Sequence, residues 1–418
     1  MIFWNQILNN YIYKLKLLLI IFFLICSSAN AQWFQQNSGT NQRLNSVYFI
    51  NQNTGFTCGY STVLKTMNGG ANWTKQSLIG NLNSVWFINE QTGFICGDSG
   101  RLYKSIDAGN SWNLIPLNTF NHLKKIKFKN NTGVIVGNKT SVYKSTNAGL
   151  NWSNVSVGID TLDLLNLQIF SEQKFFVTGT ESVIFKTFNG GISYTGNNFG
   201  MPNPLFSIDF YDENRGVISG CCGMLLRTEN GGNNWSPEVY LTPGYTVHGI
   251  QYLNSSSYII ASEAGIVYRT TNNGTNWDSL ATNIYVDYFG MHFVNYNYGW
   301  IVGNSGVILS TTNGGGQGFP IGISNVSSTI PENFTLKQNY PNPFNPETNI
   351  EFSLKNSGVT VLEIFDISGK LVDTPLNQIL TAGSYSLNWK SGNLASGVYF
   401  YKLTNNNLTL TKKFIITK

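Results

Sequence analysis

Ser105-Ile106-Asp107-Ala108-Gly109-Asn110-Ser111-Trp112 has the form S-x-D-x-G-x-S-W. In such a stretch the Asp side chain can bond backbone N–H groups two residues on. The Gly can adopt positive φ, and the Trp anchors the outgoing strand in apolar surroundings. The stretch therefore reads as a stapled β-hairpin turn. The same frame returns at Asn68 (Gly70, Trp73), Asn147 (Gly149, Trp152), Asn189 (Gly191, Tyr194), Asn230 (Gly232, Trp235) and Asn272 (Gly274, Trp277). A truncated last copy carries Thr311, Asn313 and Gly315. The seven Asp/Asn positions lie 39 to 42 residues apart. About 40 residues is the length of one four-stranded propeller blade.

Each repeat contains short runs of β-branched and aromatic residues with polar breaks, so four strands per repeat are expected. Trp33-Phe34-Gln35-Gln36 looks like the segment after each turn but precedes the first repeat, whereas the last repeat has no Trp and no fourth strand. The simplest reading pairs the two ends and removes the exposed sheet edge. The predicted fold is all-β: a seven-bladed β-propeller with N-terminal strand closure, followed by a small Ig-like β-sandwich.

In the first strand of each repeat, Val47, Val85, Ile126, Leu167, Ile208, Ile250 and Met291 should pack between blades, as should the residues two further on. The position between them ranges over Tyr48, Trp86, Lys127, Gln168, Asp209, Gln251 and His292. A position so free to vary reads as solvent-facing, near a central channel. With Tyr245 and His248 from a joining loop, Tyr48, Trp86, Lys127, Asp209, Gln251 and His292 are the candidate binding residues. Asn68, Asp107, Asn147, Asn189, Asn230, Asn272 and Asn313 are structural turn residues.

The 418 residues carry a net charge of +5, with 42% hydrophobic, 14% aromatic and only 11% charged residues. Lys14, Lys16 and the apolar run Leu17–Ile25 lead to Ala29-Asn30-Ala31, which reads as a signal peptide over residues 1–31. The apolar run is too short for a stable membrane span, so no transmembrane segment is expected after its removal. Without the leader the charge is about +3, too weak to argue for nucleic acid. Cys58 and Cys96 occupy one strand position in successive repeats. They read as small buried side chains, with a bridge between adjacent blades as the alternative. Cys221 and Cys222 are neighbours, and their redox state stays open. His122, His248 and His292 fall at different strand positions, and no Cys/His spacing resembles a metal site. No catalytic residue, metal or cofactor is expected.

The repeat region is read as 32–319 and a Gly/Ser/Asn-rich linker as 320–331. Beyond it, Leu336-Lys337-Gln338-Asn339-Tyr340-Pro341-Asn342-Pro343-Phe344-Asn345-Pro346 leads into alternating strands typical of a small antiparallel sandwich over 332–418. These residues, with Ile364–Lys370, Ala395–Leu403 and Lys412–Lys418, resemble the type A C-terminal sorting domain of the type IX (Por) secretion system. That resemblance implies secretion across the outer membrane, contact of residues 332–418 with the type IX machinery, and a secreted or surface location. The turn octapeptide resembles the Asp-box or BNR repeat. The longer repeat, with Lys and Ser or Thr before the box, resembles the YCF48-type photosystem II assembly-factor propellers. In such families the box is a turn staple remote from any active site.

A non-enzymatic surface or secreted propeller that binds a glycan or protein is the leading functional reading. The loops Gly158–Asp163, Asn197–Pro204, Tyr240–Val247 and Asn283–Tyr288 supply variable surface for it. A sialidase-like or other glycoside hydrolase is the alternative. It needs an Arg cluster, or two carboxylates such as Asp160 or Asp163 with Asp209. The chain has only Arg43, Arg101, Arg215, Arg227 and Arg269, of which Arg227 and Arg269 stand at the repeat's Lys position. A YCF48-like assembly factor is the third reading.

Overall fold

The computed structural model describes residues 33–198, 202–242, 244–316, 319–320, 323–327, 331–380, 382–391 and 394–417. The signal peptide expected over 1–31 lies outside the described residues. Seven antiparallel sheets follow one another, each built outward from a first strand: Leu44–Phe49, Leu82–Phe87, Leu123–Lys129, Leu164–Ile169, Leu205–Phe210, Val247–Tyr252 and Tyr288–Phe293. Each first strand packs beside the next, and Tyr288–Phe293 packs beside Leu44–Phe49, so the seven form a ring.

The packing unit is an aromatic wedge. The second strand of every sheet is buried along its length. In five of the sheets a glycine at or next to the start of that strand lies beneath a Phe of the first strand. A Cβ at Gly299 would meet the Phe293 ring at 2.2 Å, and Gly55, Gly93, Gly133 and Gly216 face the same exclusion from their own Phe. The Trp after the turn then closes edge-on over that Phe: Trp73 on Phe49 at 90°, Trp112 on Phe87 at 83°, Trp235 on Phe210 at 89°. Such edge-to-face pairs add to what burial alone contributes.

The last sheet borrows its wedge. Phe34, Gln35 and Gln36 pair antiparallel with Ser310, Leu309 and Ile308. Trp33, 5% exposed, meets Phe293 edge-on at 6.1 Å and 89°, which is where the missing Trp of that sheet belongs. The strand expected to close the ring does so.

The turns are stapled differently from the sequence expectation. The side-chain oxygen accepts from the amide four residues on, at 2.9 Å for Asn68 and Asn72, 2.9 Å for Asn147 and Asn151, and 2.8 Å for Asn272 and Asn276. The preceding hydroxyl is the reason. Thr66 Oγ1 accepts from Gly70 N at 2.9 Å and donates to Asn68 Oδ1 at 3.0 Å, so the nearer amides are served and the amide oxygen is aimed further along. All seven turns repeat the hydroxyl–glycine bond. Asn suffices because one acceptor makes the staple. At Asp107 the second oxygen takes the Ser111 hydroxyl at 2.6 Å, and bonds from Ser111 and Ser105 hold the carboxyl down to about 2.

A cation before most turns ties one sheet to the next. Lys65 donates to Asn110 Oδ1 at 2.8 Å, Lys186 to Gly232 O at 2.8 Å, Arg227 to Asn273 O at 2.8 Å and Arg269 to Gly314 O at 2.7 Å. The seventh sheet carries Ser310 at this place. There Gln36 of the closing strand donates to Gly69 O at 2.8 Å, so the same strand also ties the seventh sheet to the first turn.

Of the stretch 320–331 expected as a linker, residues 321–322 and 328–330 lie outside the described residues, and 320 and 323–327 are in strands. Phe319–Pro320 adds to the edge of the sixth sheet, and Ile323–Ser327 pairs with Gly383–Lys390. The backbone at 319–320 and 323–327 is held by ladder bonds that the composition does not advertise. The C-terminal unit is two four-stranded antiparallel sheets around Ile350, Leu362, Tyr401 and Phe414. Its Pro-rich opening is part of that core. Phe344 is 2% exposed against Trp389 and Phe414, and its carbonyl accepts from Thr417 N at 3.0 Å. Cys58 and Cys96 are buried free thiols; Cys221 and Cys222 are also free, their sulfurs 2.9 Å apart in non-bonded contact.

Deleting residues 33–36 removes a buried Trp, a strand and the tie to the first turn together. The melting temperature of the remaining chain should fall by roughly 10 °C or more. Calorimetry on the chain with and without these residues checks it, and an unchanged melt would mean that the ring does not depend on this strand.

Candidate functional site

The first strands decide what faces the axis of the ring. In all seven the pairing slips by one residue near the start, as between Leu44 and Ser46 or Leu205 and Ser207. Beyond the slip, period-2 alternation sends Val47 and Phe49 between sheets and Ser46 and Tyr48 inward. Residues from all seven first strands line one cavity of about 340 Å³. Tyr48, Trp86, Lys127, Gln168, Asp209, Gln251 and His292 all reach it, and His248 lies at its wall. Tyr245 does not line it and is exposed on its loop.

The variable position is half-buried rather than freely solvated, and much of it has structural work. A first strand turns an unpaired backbone edge toward the channel, and a buried N–H or C=O needs a partner. Asp209 Oδ2 accepts from Tyr252 N at 2.7 Å in the next sheet. Gln251 accepts from Phe293 N at 2.9 Å and donates to Phe293 O at 2.9 Å. His292 Nδ1 accepts from Phe49 N at 3.2 Å across the closure. Different side chains meet one backbone demand, which is why the position tolerates change yet is not idle.

The channel wall is chemically divided. His292, Tyr48 and Trp86 form an aromatic arc, with Tyr48 4.6 Å from His292 and 4.7 Å from Trp86 between ring centres. Lys127 and Lys125 follow on the next sheet. Burial pulls both ammonium groups down, Lys127 to about 8, with Asp209 opposing the shift. Burial pushes the Asp209 carboxyl up, offset by Lys127 and the Tyr252 amide. Lys125 was not among the sequence candidates. Its column otherwise holds Ser46, Ser84, Asn166, Ser207, Gly249 and Gly290, so a lysine among small residues was the available signal.

A second aromatic run borders the cavity. His248 lies between Phe206 at 4.9 Å and Phe289 at 5.0 Å, and its Nε2 is 3.4 Å from Glu263 Oε1. Arg43 stacks on Phe289 at 3.5 Å.

Asp209 is the one carboxylate in the cavity wall among the described residues, and neither Asp160 nor Asp163 reaches it. None of the five arginines lines it either. Among the described residues no three His, Cys, Asp or Glu side chains are grouped to hold a metal ion. The arrangement can stack a ring, neutralise an anion and exchange hydrogen bonds. It has no second acid for a two-carboxylate hydrolysis.

The repeats match the family model described as photosynthesis system II assembly factor YCF48 over residues 25–119, 79–161 and 152–285. Residues 338–417 match the secretion system C-terminal sorting domain, which indicates export by the type IX system to the cell surface or extracellular space. No curated protein matches the chain. Among solved structures, YCF48 bound to D1 peptide is 19% identical with a TM-score of 0.59, over 68% of this chain and 97% of that one. YCF48 from Cyanidioschyzon merolae is 17% identical with a TM-score of 0.58, over 67% and 98%. The WD40 β-propeller domain of Doa1 is 11% identical with a TM-score of 0.55, over 66% and 95%. At such identities these likenesses show the β-propeller fold.

His292 supplies a pH test of the channel. Burial, with Lys125 and Lys127 nearby, pushes its pKa down to about 4, while an unfolded histidine titrates near 6.5. The unfolded chain therefore takes up this proton first. The neutral-histidine contribution is complete above pH about 6.5 and is lost as pH falls toward about 4. Melting temperature should fall less steeply over this range in His292→Gln, an amide that can still accept from Phe49 N. Equal slopes would show that His292 is not the group responsible.

Proposed function

Because the chain belongs to the family of the photosynthesis system II assembly factor YCF48 and carries a type IX sorting domain, we propose that it is an exported, non-enzymatic binding propeller. It holds a partner at the cell surface or outside the cell, through the central channel and its mouth. The observation that carries this reading is the channel wall: an aromatic arc, two lysines and one carboxylate on a rigid ring.

The lone carboxylate weighs against a two-carboxylate hydrolase, and the cavity wall has no arginine among the described residues to clamp the carboxylate of a sialidase substrate. The solved relative bound to a peptide supports a ligand-holding role for this kind of ring. The assembly-factor reading agrees with the repeat. The sorting domain sends this chain outward, so whatever it assembles lies at the surface.

The chain from Gln32 onward should give saturable binding on an array of surface glycans and peptides. Trp86→Ala and Tyr48→Ala should weaken that binding about tenfold each, because neither side chain caps a strand edge and each offers a stacking face. Binding untouched by both would move the site to the loops Tyr240–Val247 and Asn283–Tyr288. Turnover of a chromogenic glycoside panel would overturn the non-enzymatic reading.

A further inference from the structure

Lys125 and Lys127 are neighbours on the inward side of one first strand, and both line the cavity. The adjacent Lys124 is spoken for by Asp98 at 3.8 Å, but neither Lys125 nor Lys127 forms an ion pair among the described residues. Lys127 has only a long bond of 3.4 Å to Ile208 O, and among the described residues Lys125 Nζ has no hydrogen-bond acceptor. Asp209, the one carboxylate in the wall, is engaged on its own side by Tyr252 N. Two half-buried ammonium groups side by side repel each other, and burial without a counter-charge is costly. The fold retains both, and Lys125 stands at a column where the other six sheets place Ser, Asn or Gly.

Trp86 lies on the neighbouring first strand, and Tyr48 beyond it. We infer that the channel is a site for a small acidic saccharide, a sugar ring bearing a carboxylate or a sulfate. The anion meets Lys125 and Lys127, and the ring lies against Trp86 and Tyr48. The inference rests on the channel being the binding site. Two features favour a compact ring over an extended peptide. A peptide strand would need free backbone edge to pair with, and Asp209, Gln251 and His292 already cap three of those edges. The cavity of about 340 Å³ sits at the small end of ligand sites and suits one or two rings.

The test is calorimetric titration of the chain from Gln32 onward with glucuronate, galactose 6-sulfate, neutral glucose and galactose, and an acetylated dipeptide with a free carboxylate. The acidic sugars should bind, the neutral ones at least about tenfold more weakly, since charge-assisted bonds are the stronger kind. Lys125→Met and Lys127→Met should each lose about tenfold or more toward the acidic sugars, while Lys125→Arg and the exposed Lys75→Met retain them. The arginine variant keeps the test sharp if a methionine variant melts early. Equal binding of neutral and acidic sugars, lost in Trp86→Ala, would overturn the anion inference and leave the channel reading standing. Preference for the dipeptide would overturn the saccharide. Binding of acidic sugars that survives all channel variants would overturn the inference and the channel reading together.

Discussion

A phenylalanine lying on a glycine sets the geometry of this protein. The bare glycine at the start of the second strand lets the Phe of the first strand sink into the sheet, and the Trp after the turn shuts over it edge-on. This wedge decides which alternate residues of the first strand point between sheets, and the others are left to face the axis. The channel is therefore a by-product of core packing. Its side chains belong to strands whose opposite faces are locked, so they are held by the most rigid part of the molecule.

The channel is also where backbone chemistry meets recognition. Seven strand edges converge there, and each buried N–H or C=O needs a partner. Asp209, Gln251 and His292 resolve this by reaching to the following strand. Tyr48, Trp86 and Lys125 have no such bond to a strand edge. Structural and recognition duties are thus shared out around one ring of positions, and a substitution at one of them must be judged by which duty that residue carries.

The repeat, the wedge residues and the displaced closing strand were legible in the sequence because each rests on a local pattern repeated in register. The reach of the turn oxygen was misjudged, since the Ser or Thr hydroxyl two residues earlier competes for the same amides. Residues 320–331 read as a linker because edge strands are held by backbone bonds, which polar side chains do not reveal. The candidate position was identified but its burial was not. Its side chains vary because several polar groups can accept or donate to a neighbouring strand, and from sequence that looks like solvent exposure. Lys125 was missed because the residue before each core Val, Ile, Leu or Met falls in a bulge that strict alternation does not assign to the channel.

The closing strand has a kinetic meaning. Gln36 bonds Ser310 across 274 residues of sequence, and contacts of such separation form late because the loop between them must first be ordered. Until Ile308–Ser310 has been made, Phe34–Gln36 has no strand to pair with and the ring is an unsealed arc. The sorting domain comes after those residues in the chain. By the time the address at 338–417 is complete, every strand needed to seal the ring already exists. Order along the chain thereby puts the means of closure ahead of the signal for departure.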